Sequence, residues 1–579
     1  MASSPSVYDL ISQAVDTNSV SEMNSAISSF SRFEILASLS QCNHEDETPL
    51  VVAMKKNHLV VFRELVQIVK NEFLVNVESG PTCSLIIVKL FSNKIPILEL
   101  IDNMVDVGEW QCDVLVSAMS WWNFIANSCI ESHSIPRQAK ITALELLGAA
   151  FFFATIYNPD TDCLLQQTVY GLKCWEEATI LRFYPGELPL PKIPLGISDK
   201  IFGSATEFMS LEKIEEWGQE LRRFEASNQN FPSLRQTLCI QALLVLNRIC
   251  SQANPKPSSP CCLYLESLFA YGTYSLYCSS QYSHVRFVIC TYLLLLEQMT
   301  GFDPKMTNPR AIQLFNYVLP KILNCFTKLL NRSDYSPEQV EFSPADCLAV
   351  IKFCTTIATF FPKPTVFSSP HTPELFRRAW HFISIILVEY FPHQLNDRDQ
   401  KELEKYILND IRYNEKDTST LLHACMHAPV YLRRYCSYPH LPLKSIHLFL
   451  ELGVDPNATD NYGRTALHIL AQLRKSYSDS GLHQRMFKTL VQAGGHLDMA
   501  TPEGETVISM LKDTTREDDG RHPYFDSVIN GVFPLSCICA RVIRQNGIPF
   551  HDDRIPLNLQ TFVSWHSSVR GQSGTQDKQ

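Results

Sequence analysis

Long hydrophobic runs are missing from this chain of 579 residues. Its most apolar stretches, 146–156, 291–296 and 379–391, fall well short of the roughly 20 residues that a bilayer-spanning helix needs, and they suggest buried helices instead. A basic cluster is missing too. With a net charge of −10 and a pI near 6.0, a general affinity for nucleic-acid backbones or for an anionic membrane surface is not expected. Residues 1–10 offer neither a basic start nor an apolar core, so no secretory signal is expected. The 19 cysteines are odd in number and irregularly spaced, which suits reduced thiols in the cytoplasm or nucleus.

Catalytic and metal-binding motifs are also lacking. No Cys-x-x-Cys occurs, and the nearby pairs Cys42/His44 and His423/Cys425 supply two ligands where a structural zinc takes four. There is no glycine-rich phosphate loop, no Gly-x-Ser-x-Gly elbow and no His-Glu-x-x-His. The sequence therefore predicts a protein without catalytic activity, cofactor or metal.

What is present is helical periodicity and repetition. With 45% hydrophobic and 19% charged residues the chain is globular through most of its length, and that length allows about four domains. The clearest repeats lie between about 419 and 512. Asp455-Pro456-Asn457-Ala458, Asn461-Tyr462-Gly463 and Thr465-Ala466-Leu467-His468 form a nearly complete ankyrin signature. Asp, Asn and Gly make the projecting turn, Thr465 caps the following helix, and Ala466 and Leu467 open a small face that packs on the neighbouring repeat. The same frame recurs at Ser419-Thr420-Leu421-Leu422-His423 and at Thr501-Pro502-Glu503-Gly504-Glu505-Thr506.

A weaker array opens the chain. Thr48-Pro49-Leu50-Val51 with Asn57-His58-Leu59 is one ankyrin-like unit, and the apolar pattern returns at Ser84–Val88 and Ile95–Leu100 without its turn residues. Between the arrays, Ala143-Leu144-Glu145-Leu146-Leu147-Gly148-Ala149 and Gly171-Leu172-Lys173-Cys174-Trp175-Glu176-Glu177-Ala178 look like tetratricopeptide helices with Trp175 and Ala178 on the packing face. Further helices are predicted at about 205–225, 233–251, 261–279, 283–300, 310–331, 344–360, 373–391 and 397–410. The expected class is an all-α helical-repeat solenoid. Its expected regions are a short ankyrin array over 1–133, a tetratricopeptide-like middle over 134–415, ankyrin repeats over 416–515, a terminal box over 530–566 and a disordered tail over 567–579.

The terminal box carries the functional signal. As a helix, Leu535, Ile538, Cys539, Val542 and Ile543 fall at i, i+3, i+4, i+7 and i+8 and make one apolar stripe. That pattern resembles the elongin-binding helix of SOCS-box and VHL-box proteins. Ile555-Pro556, Leu559 and Val563, at a matching distance beyond it, resemble the cullin-selecting element, and because this element lacks the Leu-Pro-x-Pro form of the SOCS type the resemblance favours a cullin-2 type over a cullin-5 type.

The order of parts, from ankyrin units through the Leu-Glu-Leu-Leu-Gly-Ala and Trp-x-x-Ala helices to ankyrin repeats and an elongin box, resembles the Fem family of feminization-type ankyrin proteins. The resemblance implies a substrate-recognition subunit of a cullin-RING ubiquitin ligase, joined to a cullin-2-type scaffold through elongin C and elongin B. Leu535 would be the anchor in elongin C, with Ile538, Cys539, Val542 and Ile543 completing the inserted face; Ile555, Pro556, Leu559 and Val563 would face the cullin. Family members take substrate C-terminal tails in a long N-terminal ankyrin groove, but the array here is short. Its acidic and aromatic candidates, Glu45, Asp46, Trp121 and Trp122, match no known pattern one for one, so the substrate is left unassigned. The competing reading is a plain ankyrin scaffold whose last helix only caps the array.

Overall fold

A computed structural model of the protein describes residues 5–566 except 94, 106–111, 155–160, 194–201, 203–204, 228–231, 254–259, 279–282, 300–309, 311–313, 315–316, 323–324, 326–342, 361–371, 391–394, 414–419, 434–441, 474–479, 514–522, 532–533, 551–554 and 565. The fold is all-α and built of stacked helix pairs. Among the described residues, extended pairing is confined to two isolated bridges, Met499 with His566 and Ala500 with Thr506. The chain divides into two compact units, Met1–Val318 and Leu319–Gln579. This division falls inside the helical middle predicted over 134–415, and the predicted helix 310–331 lies largely outside the described residues.

The first unit opens with α1 (Val7–Thr17), α2 (Val20–Ser28) and α3 (Arg32–Ser40), followed by α4 (Pro49–Lys55), α5 (Leu59–Val75), α6 (Gly80–Ser92), α7 (Ile97–Met104) and α8 (Cys112–Glu131). Local chemistry sets the starts. Ser6 and Ser31 form reciprocal capping boxes with Asp9 and Glu34, while Thr48 caps α4 ahead of Pro49 in its first turn. Helices α4, α6 and α8 stack in sequence and α5 packs on α7, the arrangement of repeated helix pairs. Trp121 and Trp122 are wholly buried in this stack.

The rest of the unit comprises α9 (Arg137–Ala154), α10 (Thr161–Arg182), α11 (Leu211–Ser227), α12 (Pro232–Gln252), α13 (Cys262–Cys278) and α14 (Ser283–Met299). Helices α9 and α10 meet closely because each presents a glycine to the other's aromatic ring. A Cβ on Gly148 would lie 2.5 Å from Trp175, and one on Gly171 would lie 2.8 Å from Phe152. The Trp175 indole N–H donates to the Glu145 carbonyl at 3.1 Å, and Trp175 and Ala178 are buried as their helical spacing predicts.

The Glu145 side chain organises a buried ionic cluster on α9, α10 and α12. Arg182 donates to both its oxygens at 3.0 and 2.9 Å, Arg248 adds a bond at 2.9 Å, and Arg248 also holds Glu207 at 2.8 and 3.0 Å. Lys192 lies 3.0 Å from Glu207. Burial works against ionisation of Glu145, but Arg248, Arg182 and Lys192 outweigh it and hold the carboxyl below its usual range.

The second unit contains α15 (Pro344–Phe360), α16 (Thr372–Tyr390), α17 (Asp397–Tyr413), α18 (Leu421–Arg433), α19 (Leu443–Glu451), α20 (Ala466–Gln472), α21 (Ser480–Gln492), α22 (Val507–Asp513), α23 (Pro523–Ile529), α24 (Leu535–Gln545) and α25 (Leu557–Ser564). Helices α18, α20 and α22 stack in order, and α19 packs on α21. A relay of histidines joins the stack. His423 Nδ1 accepts from the Thr420 N–H at 3.1 Å while its Nε2 donates to the Arg464 carbonyl at 2.8 Å. His468 repeats this, accepting from Thr465 at 3.1 Å and donating to the Met499 carbonyl at 3.1 Å. At the third position Ser509 stands in place of histidine, and its hydroxyl caps Thr506 locally at 2.7 Å.

Two outcomes follow. Truncating Glu145→Ala leaves the buried Arg182 guanidinium without its carboxylate while Arg248 keeps Glu207, so denaturant unfolding of the first unit should show a loss of about 3–5 kcal/mol. Burial lowers His423 and His468 from 6.5 to about 4, so the folded repeats hold both rings neutral while the unfolded chain protonates them near 6.5. The unfolded state then binds more protons between these values, and the stabilisation, complete above pH 6.5, falls as pH drops toward 4. Melting of the full chain against pH checks this. The double variant His423→Gln/His468→Gln, which keeps an acceptor at each cap, should flatten the slope.

Candidate functional site

Helix α24 is eleven residues long and is capped by the preceding Pro534, whose carbonyl accepts from the Ile538 N–H at 3.1 Å. It ends where Gly547 takes a left-handed φ of +63° and Ile548 N–H returns to the Ile543 carbonyl at 3.0 Å. The helix has two dissimilar apolar faces. One faces outward: Leu535 is 75% exposed, Val542 46% and Ile538 39%, and Cys539 is exposed beside them. The other is buried. Cys537 and Ala540 are covered, and Ala540 forms a small core with Phe550 and Val563 against which Ile543, Ile555 and Phe562 pack.

Of the predicted stripe, four residues lie on the outward face and one does not. Ile543 is turned toward the Ala540–Phe550–Val563 core, because i+8 lies roughly 80° around the helix from Leu535 and meets the edge of the buried face. The second predicted set divides likewise. Leu559 and Pro556 are exposed, whereas Val563 is buried at the centre of the small core and Ile555 packs on its edge. Val563 and Ile543 therefore hold α24 and α25 together, a role their sequence spacing did not reveal.

The buried face is seated by polar contacts as well. Arg544 Nε donates to the His566 carbonyl at 3.1 Å, and the Arg544 guanidinium lies 5.7 Å from the Phe550 ring centre. Arg541 reaches Asp498 at 3.4 Å, and Cys537 Sγ lies 3.5 Å from His496 Nδ1. His496 and Asp498 belong to the turn between α21 and α22, and the Met499–His566 bridge brings the end of the box beside the same turn.

Burial pushes the Cys537 thiol up to about 11, with the Asp498 charge adding to it. Burial raises Asp498 too, but His566 and Arg541 outweigh it and keep the carboxyl below its usual range; His496 is lowered by burial. Sequence spacing gave no sign of this grouping, since its members are scattered over three elements.

The other predicted surface, in the first unit, differs in character from the expectation. Glu45 and Asp46 are exposed on a turn, while Trp121 and Trp122 are buried. A depression lined by Trp122, Val66, Met104 and Val105 also carries Arg63, Lys70 and Arg310, so its charged groups are basic where acidic ones were sought.

No helix among the described residues is long and apolar enough to cross a membrane. No family model matches the chain. Over 164 residues it is 30% identical to the protein fem-1 homolog CG6966 of Drosophila melanogaster, a match that covers 28% of this chain and 22% of that protein. The match thus spans about a fifth of the length of this curated relative. This is a distant and partial similarity to a Fem protein, and with the helical-repeat fold it is consistent with a non-catalytic adaptor.

Proposed function

We propose that this chain is a non-catalytic substrate receptor of an elongin-containing, cullin-2-type RING ubiquitin ligase, and that the outward face of α24 is its elongin C contact. The observation that carries the proposal is the division of α24. A row of Leu535, Ile538 and Val542 is left in solvent while the opposite side of the same helix packs on Phe550 and Val563 and reaches the turn at His496 and Asp498. Such a face suits insertion of a helix into an apolar groove, with i, i+3 and i+7 as anchors. Exposed Pro556 and Leu559 on the following segment are the residues proposed to select the cullin, with elongin B entering through elongin C.

By this mechanism the protein forms no bond. It raises the concentration of a bound target beside a ubiquitin-charged enzyme, in the cytoplasm or the nucleus. A plain scaffold would also need the buried face of α24, as the cap of its last repeat, but would gain nothing from the exposed one.

Separate variants distinguish the two faces. Leu535→Ala with Cys539→Ala should abolish co-purification with elongin C, since a central aliphatic anchor carries roughly 2 kcal/mol or more, yet leave thermal melting unchanged. Retained co-purification sinks the proposal. Phe550→Ala removes the ring from the small core and should destabilise the terminal segment by about 3–5 kcal/mol, read as loss of amide protection over 534–566.

A further inference from the structure

The turn after α21, the inner face of α24 and the residue that follows α25 bring four metal-binding side chains to one place. Ligand atoms of His496, Asp498 and Cys537 all lie within 4.8 Å of one another. His566 Nε2 lies 3.2 Å from Asp498 Oδ2. These groups are deeply placed: His566 is fully buried, Asp498 and Cys537 are 1% exposed, and His496 closes the outer side.

The hydrogen bonds around them are incomplete in a particular direction. His566 Nδ1 faces the Phe562 carbonyl at 2.8 Å, and because that oxygen only accepts, Nδ1 carries the hydrogen. In the neutral ring Nε2 is then a buried lone pair 3.2 Å from Asp498 Oδ2, an oxygen it can bond only when the ring carries a second proton. Asp498 Oδ1 is likewise buried without a hydrogen-bond partner, while Oδ2 takes Arg541 at 3.4 Å. Two acceptors facing each other in a dry site require positive charge between them, from a second proton on His566 or from a metal cation, and such buried groups are costly if left unsatisfied.

We propose that His496, Asp498, Cys537 and His566 bind a zinc ion that clamps the terminal segment to the last repeat. The donors are two imidazoles, a carboxylate and a thiol, a mixed set that suits zinc better than magnesium or calcium. Thiolate and carboxylate together neutralise the dication. Bonds of about 2.0–2.3 Å place neighbouring ligand atoms of a tetrahedral site roughly 3.3–3.8 Å apart. The Cys537–His496 separation of 3.5 Å is already close to that spacing, and the 3.2 Å between His566 Nε2 and Asp498 Oδ2 puts the carboxylate within reach of the same ion. Asp498 would turn its partnerless Oδ1 to the metal and keep Oδ2 for Arg541. The Nδ1–H bond from His566 to the Phe562 carbonyl is the outer contact that orients a ligating imidazole.

The clamp acts on the buried side of α24, so it leaves the outward row free. Its test needs no elongin, so its failure is separable from failure of the proposed function. Full-length protein without an affinity tag, purified in the absence of chelator, should carry about one zinc per chain by elemental analysis. Cobalt substitution should give a thiolate-to-cobalt charge-transfer band, and this band should vanish in Cys537→Ser. Zinc affinity should fall at least tenfold in Cys537→Ser and in His566→Gln, two substitutions on different elements, so that misfolding of one leaves the other informative. Stripping zinc from the wild type should lower amide protection over 534–566, and adding it back should restore it. Metal-free wild type that neither takes up zinc nor gains protection when zinc is added would overturn the proposal and leave Asp498, Arg541 and His566 as a charge cluster only. A Cys537→Ser protein that binds zinc as tightly as wild type would overturn it as well.

Discussion

An eleven-residue helix does not hold its shape alone in water, because the cost of nucleation exceeds what so few hydrogen bonds return. Helix α24 can present an apolar row to solvent only because its opposite side is buried. Cys537 and Ala540 supply that side, and both are small, so the helix can approach the His496 turn through the one and the Phe550–Val563 core through the other. Larger side chains there would lift the helix from its seat, and smaller ones on the outward face would leave nothing to dock. The division of labour between the two faces is what makes the terminal segment a candidate site.

The array that provides the seat has its own chemical logic. His423 and His468 each use one ring nitrogen to cap their own helix and the other to bond the backbone of the next turn, so every junction depends on a neutral imidazole. Ser509 ends the series with a purely local cap. A hydroxyl is too short to reach a following repeat, and the box, which comes after α23, approaches by another route through Met499, Asp498 and His496. The last repeat therefore differs from the others at the positions that would otherwise propagate the stack.

Much of the helical content was legible in sequence. The predicted helices 233–251, 261–279, 283–300, 344–360 and 373–391 appear as Pro232–Gln252, Cys262–Cys278, Ser283–Met299, Pro344–Phe360 and Thr372–Tyr390, because long apolar periodicity bounded by proline and polar breaks is a local signal. Burial of Trp175 and Ala178 was legible for the same reason. The Glu145 cluster was not, since its partners Arg182, Lys192, Glu207 and Arg248 are distant in sequence and look like ordinary surface charges one at a time. Ile543 and Val563 were placed on docking faces because period alone does not say which side of a short amphipathic helix meets its own protein.

That ambiguity has a general form. A helix whose residues are apolar over more than half its circumference satisfies two periodic patterns at once, one for each partner. In α24 the outward pattern is made of Leu, Ile and Val, and the inward one of Cys, Ala and the edge of Ile543. A hydrophobicity scale favours the first and passes over the second. Yet the inward side touches the polar turn at His496 and Asp498, where cysteine offers what a larger aliphatic residue cannot: a small volume together with a sulfur atom facing an imidazole. The choice of cysteine at 537 is thus a constraint set by its neighbours on another repeat, and only the folded chain brings those neighbours into view.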